Sequence, residues 1–528
     1  MNRRDFVQLA SLATAQLLAG GCAHWRRRGE FAIEEATCAD LQAAMQSGRE
    51  SAVSLARKYL QRIGEIDTRG PRLNSVIELN PDALAIARAL DVERKAKGPR
   101  GPLHGLPVLI KDNIDTHDRM MTTAGSLALV GSFPQQDATV ARKLREAGVV
   151  ILGKTNLSEW ANFRGNRSTS GWSGRGGQTR NPYALDRDPS GSSSGSGAAV
   201  SANLCAFAIG TETDGSIVSP ASQCGIVGLK PTVGLISRGG IIPISQSQDT
   251  AGPMTRTVTD AATVLGALTG IDSRDLATES SRGRGHPDYT RFLDPDGLRG
   301  ARIGIGRKFF SANTRANKIL EAAIATMKRA GAVMIDPADL PTHGKFSGAE
   351  HELMLYEFKA GLNAYFASLG PNAPVRSLRE VIEFNERNKE RELLFFGQET
   401  MLKAQEKGPL TEPAYLEAVA SARRLAGPEG IDAVMDQHRL DAIVAPTAGP
   451  AGKIDLVYGN RGEGGSSSPA AVAGYPNITV PAGEVFGLPV GISFFGRAFS
   501  EPVLLRIAFA FEQATKARKP PKLLRDIY

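Results

Sequence analysis

Short apolar runs alternate with stretches of helical periodicity along most of this chain. Leu106 to Ile110 is the first clear run, ended by Lys111-Asp112-Asn113. A helical stretch from Asp137 to Ala147 leads at once into a second run, Val149 to Leu152. Further strand-like runs are Ala206 to Ile209, Ile303 to Gly306 and Ala442 to Ala445, with helices expected over Thr259 to Leu268 and Ala316 to Ala330. Nearer the start, Thr37 to Ile66 reads as two short helices broken near Ser47-Gly48. The second carries Leu55, Tyr59, Leu60 and Ile63 at helical spacing. Asn80-Pro81 opens another helix, with Asn as cap, Pro at the first helical position and Gly98 at the far end. Brief apolar strands between amphipathic helices predict an α/β fold, with a buried mixed or parallel central sheet flanked by helices on both faces. The tract from Arg376 to Lys407 is charged and helix-prone, and reads as a surface excursion.

The 528 residues permit two or three average domains, but no repeat period or low-complexity linker divides them, so one large domain over residues 37–528 is expected. The net charge of +8 is scattered, and Arg3, Arg4, Arg26, Arg27 and Arg28 supply much of the excess. That pattern fits a solvated basic surface and no nucleic-acid partner. Cys22, Cys38, Cys205 and Cys224 form neither a disulfide framework nor a zinc pattern, and Cys205 and Cys224 sit in apolar surroundings as small buried hydrophobes. The seven histidines follow no metal-ligand spacing, and His438 falls in a charged helix end where exposure is expected. Neither metal nor cofactor is expected.

Residues 1–23 read as an export segment. Arg3-Arg4-Asp5-Phe6 precedes a weakly apolar stretch from Leu9 to Ala19, the arrangement of a twin-arginine signal, and the stretch is too short to span a bilayer. Leu18-Ala19-Gly20-Gly21-Cys22 resembles a lipoprotein cleavage box, so a lipid anchor at Cys22 and ordinary cleavage after Ala23 are the two outcomes. An exported protein, periplasmic or anchored to the membrane through Cys22, is expected.

Residues 165–197 are crowded with glycine and serine, yet they run directly into an apolar helix start at Ala198 and a strand at Ala206. A small-residue tract between packed elements reads as a loop whose backbone must approach something closely, rather than as a linker. Gly191-Ser192-Ser193-Ser194-Gly195 matches the G-x-S-x-G elbow of α/β-hydrolases, centred on Ser193. That elbow needs an apolar strand just before it, and Tyr183 to Ser190 supplies none.

A second tract gives the first its meaning. Gly210-Thr-Glu-Thr-Asp-Gly-Ser216 lies 24 residues beyond Ser192 (216 − 192), and Gly105-Leu-Pro-Val-Leu-Ile-Lys111-Asp112-Asn113 precedes both. Together with Ser190 to Ser196 these segments resemble the amidase signature family, and the likeness extends from about Leu41 to Gly487-Leu-Pro-Val-Gly491. The resemblance implies a single amidase domain in which Lys111, Ser192 and Ser216 form the catalytic relay. Ser216 is then the acyl-forming nucleophile, and the Gly191–Ser192 peptide bond is cis. It also implies an oxyanion hole built from the backbone N–H groups of Thr213, Asp214, Gly215 and Ser216. A serine hydroxyl needs a base, and a lysine serves when burial keeps it neutral, which suits the end of an apolar strand. Asp214 and Glu212 depart from the family's usual Gly and Asp, and Ser190 and Ser194 replace glycines. Asp214's side chain is expected to point away from the oxyanion, toward backbone or a substrate ammonium. Ser193, Ser194 and Ser196 read as solvated loop serines.

Within the family, Trp160 to Gly165, Gly171 to Pro182 and Thr211 to Ser216 are most similar to bacterial peptide amidases, which remove the C-terminal amide of a peptide and release ammonia. The resemblance thus implies a monomeric enzyme acting on a small peptide amide. Alternatives are a broad aliphatic or aryl amidase, an amidotransferase A-type subunit, and an inactive binding protein on the same scaffold.

Overall fold

The apolar runs become strands of one sheet, and their burial decides where the polar chemistry stands. The computed structural model describes residues 31–371, 373–460 and 464–527, so the export segment and Cys22 lie outside the described residues. From Ile33 onward the chain packs as a single unit. Its strands in chain order are β1 (Val76–Leu79), β2 (Pro107–Lys111), β3 (Val150–Thr155), β4 (Trp172–Ser173), β5 (Gly177–Gln178), β6 (Ala208–Glu212), β7 (Val227–Lys230), β8 (Thr250–Thr255), β9 (Arg302–Ile305), β10 (Val333–Ile335), β11 (Ala442–Pro446), β12 (Asn477–Val485) and β13 (Leu488–Phe495). The main sheet has 11 strands in the order β1-β3-β2-β6-β8-β7-β12-β13-β11-β9-β10, while β4 and β5 pair separately.

The sheet is mixed. β3, β2 and β6 run parallel at one end and β11, β9 and β10 at the other, with antiparallel pairing across the middle. β2 sits between two parallel neighbours and every one of its residues is buried, as continuous apolar runs in parallel strands require. Lys111 closes that strand and is carried into the interior with it. β6 lies beside β2, and the Ser216 turn leaves its end.

The expected helices are present within a residue or two, at Cys38–Gln46, Ala52–Arg62, Thr139–Glu146, Val258–Leu268 and Thr314–Arg329. Thr37 caps the first with a reciprocal bond to Asp40, and Gly48 at φ +73 makes the break that follows.

Three expectations are corrected. Asn80-Pro81 does not begin the helix Ala83–Lys97: Asn80 Oδ1 accepts from Asp82 N at 2.9 Å and its Nδ2 donates to Ile151 O, so the pair forms the turn out of β1, a strand the periodicity did not signal. Gly98 does end that helix. The tract 376–407 is no excursion, because Leu378, Val381, Met401 and Ala404 join a buried cluster with Trp160, Phe358 and Phe366. Within the same tract the Glu392 carboxylate is wholly buried, accepting from Leu127 N beside Arg164. His438 closes the helix Ala433–His438 half-buried rather than exposed. Cys205 and Cys224 are fully buried, and burial raises both thiol pKa values. Among the described residues no helix is long and apolar enough to cross a membrane, and no His/Cys/Asp/Glu group is arranged to hold a metal.

Candidate active site

Three segments meet at the end of β2. Lys111 Nζ lies 2.8 Å from Ser192 Oγ, 2.9 Å from Thr211 Oγ1 and 3.3 Å from Thr211 O. Asn113 Nδ2 donates to the same Thr211 hydroxyl at 3.0 Å, which fixes that group against the lysine. Burial removes the ammonium's hydration and lowers the Lys111 pKa to about 7, although the negative charges of Asp249 and Glu212 act in the opposite sense. The amine is thus poised between its two protonation states near neutral pH.

Ser192 is completely buried and follows a cis peptide bond from Gly191. A side chain on Gly191 would collide with Ser158 Oγ and crowd Ser194 Oγ, so the position admits only glycine without a shift of its neighbours. The next residue ties this loop to the Ser216 turn. Ser193 N donates to Ser216 O at 3.1 Å, Ser193 Oγ donates to Thr211 O at 3.0 Å, and Thr211 N donates back to Ser193 Oγ at 3.2 Å. Ser194 Oγ donates to Ser190 O, and Ser196 Oγ pairs with Thr155 Oγ1 and Ile209 O. Ser193, Ser194 and Ser196 are therefore wholly buried struts, which corrects the reading of them as solvated. Each satisfies a polar group that burial would otherwise leave unpaired.

The Ser216 turn is organised from beneath by Glu212. Its Oε1 accepts from Gly215 N at 2.9 Å, and its Oε2 accepts from Ile217 N at 2.7 Å and Val218 N at 3.0 Å. Burial raises the Glu212 pKa, while Lys230 and these N–H donors favour the ionised form. Gly215 stands at φ +77, a conformation suited to glycine, and its N–H is spent on Glu212. Gly215 is thus removed from the expected set of oxyanion donors. Among the described residues the Glu212 carboxylate takes no bond from the backbone N–H groups of Thr213, Asp214 or Ser216. Ser216 itself is 7% exposed, just before the helix Val218–Gln223.

Asp214 is directed away from this backbone toward the helix Ser467–Ala473, where its Oδ2 accepts from Ser468 Oγ at 2.6 Å. Thr213 Oγ1 donates to Asp249 at 2.6 Å, and Asp249 also accepts from Ile244 N and Ser245 N, which pins the turn to the loop before β8. A cavity of about 160 Å³ opens beside this corner, lined by Asn113, Thr211, Thr213 and Asp249 together with Ala161, Ile241, Ile242 and Ile244.

Known proteins share this arrangement of segments. The Amidase family model matches residues 54–505. The chain belongs to the amidase family. It is an amide-hydrolysing enzyme with a single amidase domain. The solved structure of peptide amidase PAM with its competitive inhibitor chymostatin is 56% identical, covering 93% of this chain and 100% of that one at a TM-score of 0.91. A "Probable amidase" of Arabidopsis thaliana is 45% identical over 96% of this chain and 95% of its own length. A glutamyl-tRNA(Gln) amidotransferase subunit of Thermoanaerobacter pseudethanolicus is 33% identical, over 92% and 98% respectively.

Several residues of this amidase's site were not singled out by the motifs. Thr211 and Asn113 lie inside the motif segments, but only the geometry shows that Thr211 meets Lys111 and that Asn113 holds Thr211. Gln248 and Glu350, which pack against the same turn, belong to segments with no chemical signature. No histidine makes a hydrogen bond to Ser192 or Ser216 among the described residues; the fully buried His104 ring instead meets Leu90 O at 3.0 Å.

Proposed function

We propose that the protein hydrolyses the C-terminal carboxamide of peptides, releasing ammonia through an acyl-enzyme on Ser216. The observation that carries this reading is the 2.8 Å contact from Lys111 Nζ to Ser192 Oγ, on a loop whose next residue is hydrogen-bonded to the Ser216 backbone. Neutral Lys111 takes the Ser192 hydroxyl proton as Ser192 takes the proton of Ser216, and Ser216 Oγ attacks the amide carbon. The resulting oxyanion is met by the backbone N–H groups of Thr213, Asp214 and Ser216. On collapse Ser192 passes a proton to the departing nitrogen and recovers one from Lys111, so ammonia leaves and the amine is neutral again. Water then follows the same route to release the acid.

The peptide-amide substrate is supported by the 56% identity to peptide amidase PAM, against 33% to the amidotransferase chain. The test is ammonia release from a dipeptide amide by the purified protein, set against an aliphatic amide and an anilide. Turnover of the dipeptide amide at least tenfold above the others in kcat/KM is expected, equal to about 1.4 kcal/mol of transition-state preference. Equal or better turnover of simple amides would reject the substrate.

We also read the chain as exported, on the strength of Arg3-Arg4-Asp5-Phe6 and the weakly apolar stretch after it. Replacing Arg3 and Arg4 by lysine should hold the protein in the cytoplasm with its N-terminus uncleaved. Unaltered processing would overturn that reading.

A further inference from the structure

The cavity beside the Ser216 turn has an apolar face made by Ile241, Ile242, Ile244 and Ala161. Each of its charged residues already has a partner. Asp249 accepts from Thr213 Oγ1, Ile244 N and Ser245 N, Arg238 is ion-paired with Asp275, and Arg274 with Asp272. One buried polar side-chain atom of the wall is left over. Asn113 is 3% exposed; its Nδ2 is spent on Thr211, and its Oδ1 has no hydrogen-bond partner among the described residues. Ala161 reaches the wall through strained backbone. Trp160, Ala161 and Asn162 stand at φ +50, +54 and +73, three left-handed residues in succession and none of them glycine. Trp160 N donates to Ala124 O at 3.0 Å, and Ser168 Oγ donates to Asn162 Oδ1 at 2.9 Å, so the turn is held from both sides. Backbone held against its own preference thus puts a single methyl group in the cavity wall.

A cavity with an apolar face and one unpaired acceptor suits a group that brings hydrocarbon and one N–H. The C-terminal residue of a peptide amide is such a group. Its side chain and its backbone nitrogen each begin two bonds from the carbon under attack. Thr213, whose backbone N–H we assign to the oxyanion, also lines the cavity, so the reacting carbon lies at the cavity's edge. We infer that the cavity seats the residue whose carboxamide is cut. Its side chain lies against Ile241, Ile242 and Ile244, its N–H donates to Asn113 Oδ1, and Ala161 leaves the space that the side chain fills. No free counter-charge faces that space, so an apolar side chain is preferred. This deepens the peptide-amide reading and rests on it. Ala161, Asn113 and the isoleucines determine specificity, whereas Lys111 and Ser192 move the protons.

The experiment measures kcat/KM for ammonia release from N-acetyl dipeptide amides ending in glycine, alanine, aminobutyrate and norvaline. In wild type the value should climb about fourfold for each carbon added from alanine to norvaline, the worth of a buried methylene. Ile241→Trp, which fills the space, should flatten or reverse that series. A second arm replaces the N–H of the C-terminal residue by an ester oxygen. The loss should be about tenfold or more in wild type and largely absent in Asn113→Ala, because a site built to pair a substrate N–H rejects the analogue that lacks it. The wild-type series needs no variant, so it decides even where Ile241→Trp fails to fold. A flat wild-type series overturns the proposal. So does an equal drop for every amide in Ile241→Trp, which would make the cavity a passage for solvent, or an equal loss for the oxygen analogue in wild type and Asn113→Ala. Absence of ammonia release from all of these amides sinks the peptide-amide reading and this inference together, whereas release with a flat series sinks this inference alone.

Discussion

Lys111 Nζ meets Ser192 Oγ at 2.8 Å in a place from which water is excluded on both sides. An amine there is held near its neutral form by the cost of burying its charge, and the hydroxyl beside it has a base at hand. In the proposed relay a second serine, Ser216, joins that pair through the loop and turn around it. β2 and β6 place Lys111 and Thr211 side by side, Ser193 bridges the loop to the turn, and Glu212 shapes the turn.

Activity should follow the protonation state of that amine. With the Lys111 pKa lowered to about 7, kcat/KM for a peptide amide should rise through that pH on its acid limb and level off above it, since only the neutral amine accepts a proton. Lys111→Met should abolish turnover, and a pH–rate profile of the wild type locates the limb. A limb at the ordinary carboxylate range would point to a different base.

The same burial makes Lys111 a liability for stability. Between about pH 7 and 10.5 the unfolded chain binds the proton that the folded chain has released, so Lys111's contribution to stability rises with pH across that window. Holding the amine neutral at pH 7 costs on the order of 5 kcal/mol, part of which Lys111→Met recovers. A raised Tm in an inactive Lys111→Met protein is expected. A Tm several degrees lower would show that its three hydrogen bonds outweigh the burial cost.

Glu212 holds three backbone N–H groups, at Gly215, Ile217 and Val218. Glu212→Ala leaves them unpaired in the interior, each at about 1–3 kcal/mol before relaxation. Turnover should fall by about 100-fold, chiefly in kcat, because the backbone N–H groups we assign to the oxyanion lose their alignment. Glu212→Gln keeps one acceptor oxygen and should recover part of the loss. Wild-type kcat in Glu212→Ala would show that the turn keeps its shape without this carboxylate.

Gly191→Ala places a methyl group against Ser158 Oγ and Ser194 Oγ. Overpacking of this kind costs about 1–3 kcal/mol, and it displaces Ser192 directly. The substitution should lower both Tm and kcat, and adding Ser158→Ala should restore part of each. Absence of any rescue would place the effect elsewhere.

Motif residues were legible because their chemistry forces their spacing: Lys111 ends an apolar strand, and Ser192 and Ser216 sit in glycine-rich turns. The strands they depend on were legible for the same reason, since apolar runs of four or five residues between amphipathic helices have few other homes. The contact between Gln248 and Glu350 was not, because it spans 102 residues of chain and nothing local marks it. Ser193, Ser194 and Ser196 look like solvated loop serines until the helix Ser194–Ser201 is seen to begin inside the core. The charged surface of residues 376–407 hides Leu378, Val381, Met401 and Ala404, whose side chains only a neighbouring helix could reveal as buried. Gly215 shows the limit of motif reasoning at atomic detail. Its place beside the nucleophile suggested an oxyanion donor, and only the position of the Glu212 carboxylate shows that its N–H is already engaged.

Which hydroxyl is acylated decides whether the relay is correctly assigned. Ser193 lies at the centre of the misleading G-x-S-x-G, yet its hydroxyl is wholly buried and both donates to and accepts from Thr211. Ser216, 7% exposed, is the residue we propose to react. Mapping the adduct of a fluorophosphonate probe by peptide mass spectrometry decides between them. Label on Ser216, lost in Ser216→Ala and retained in Ser193→Ala, is the result predicted; label on Ser193, or undiminished labelling of Ser216→Ala, would contradict it.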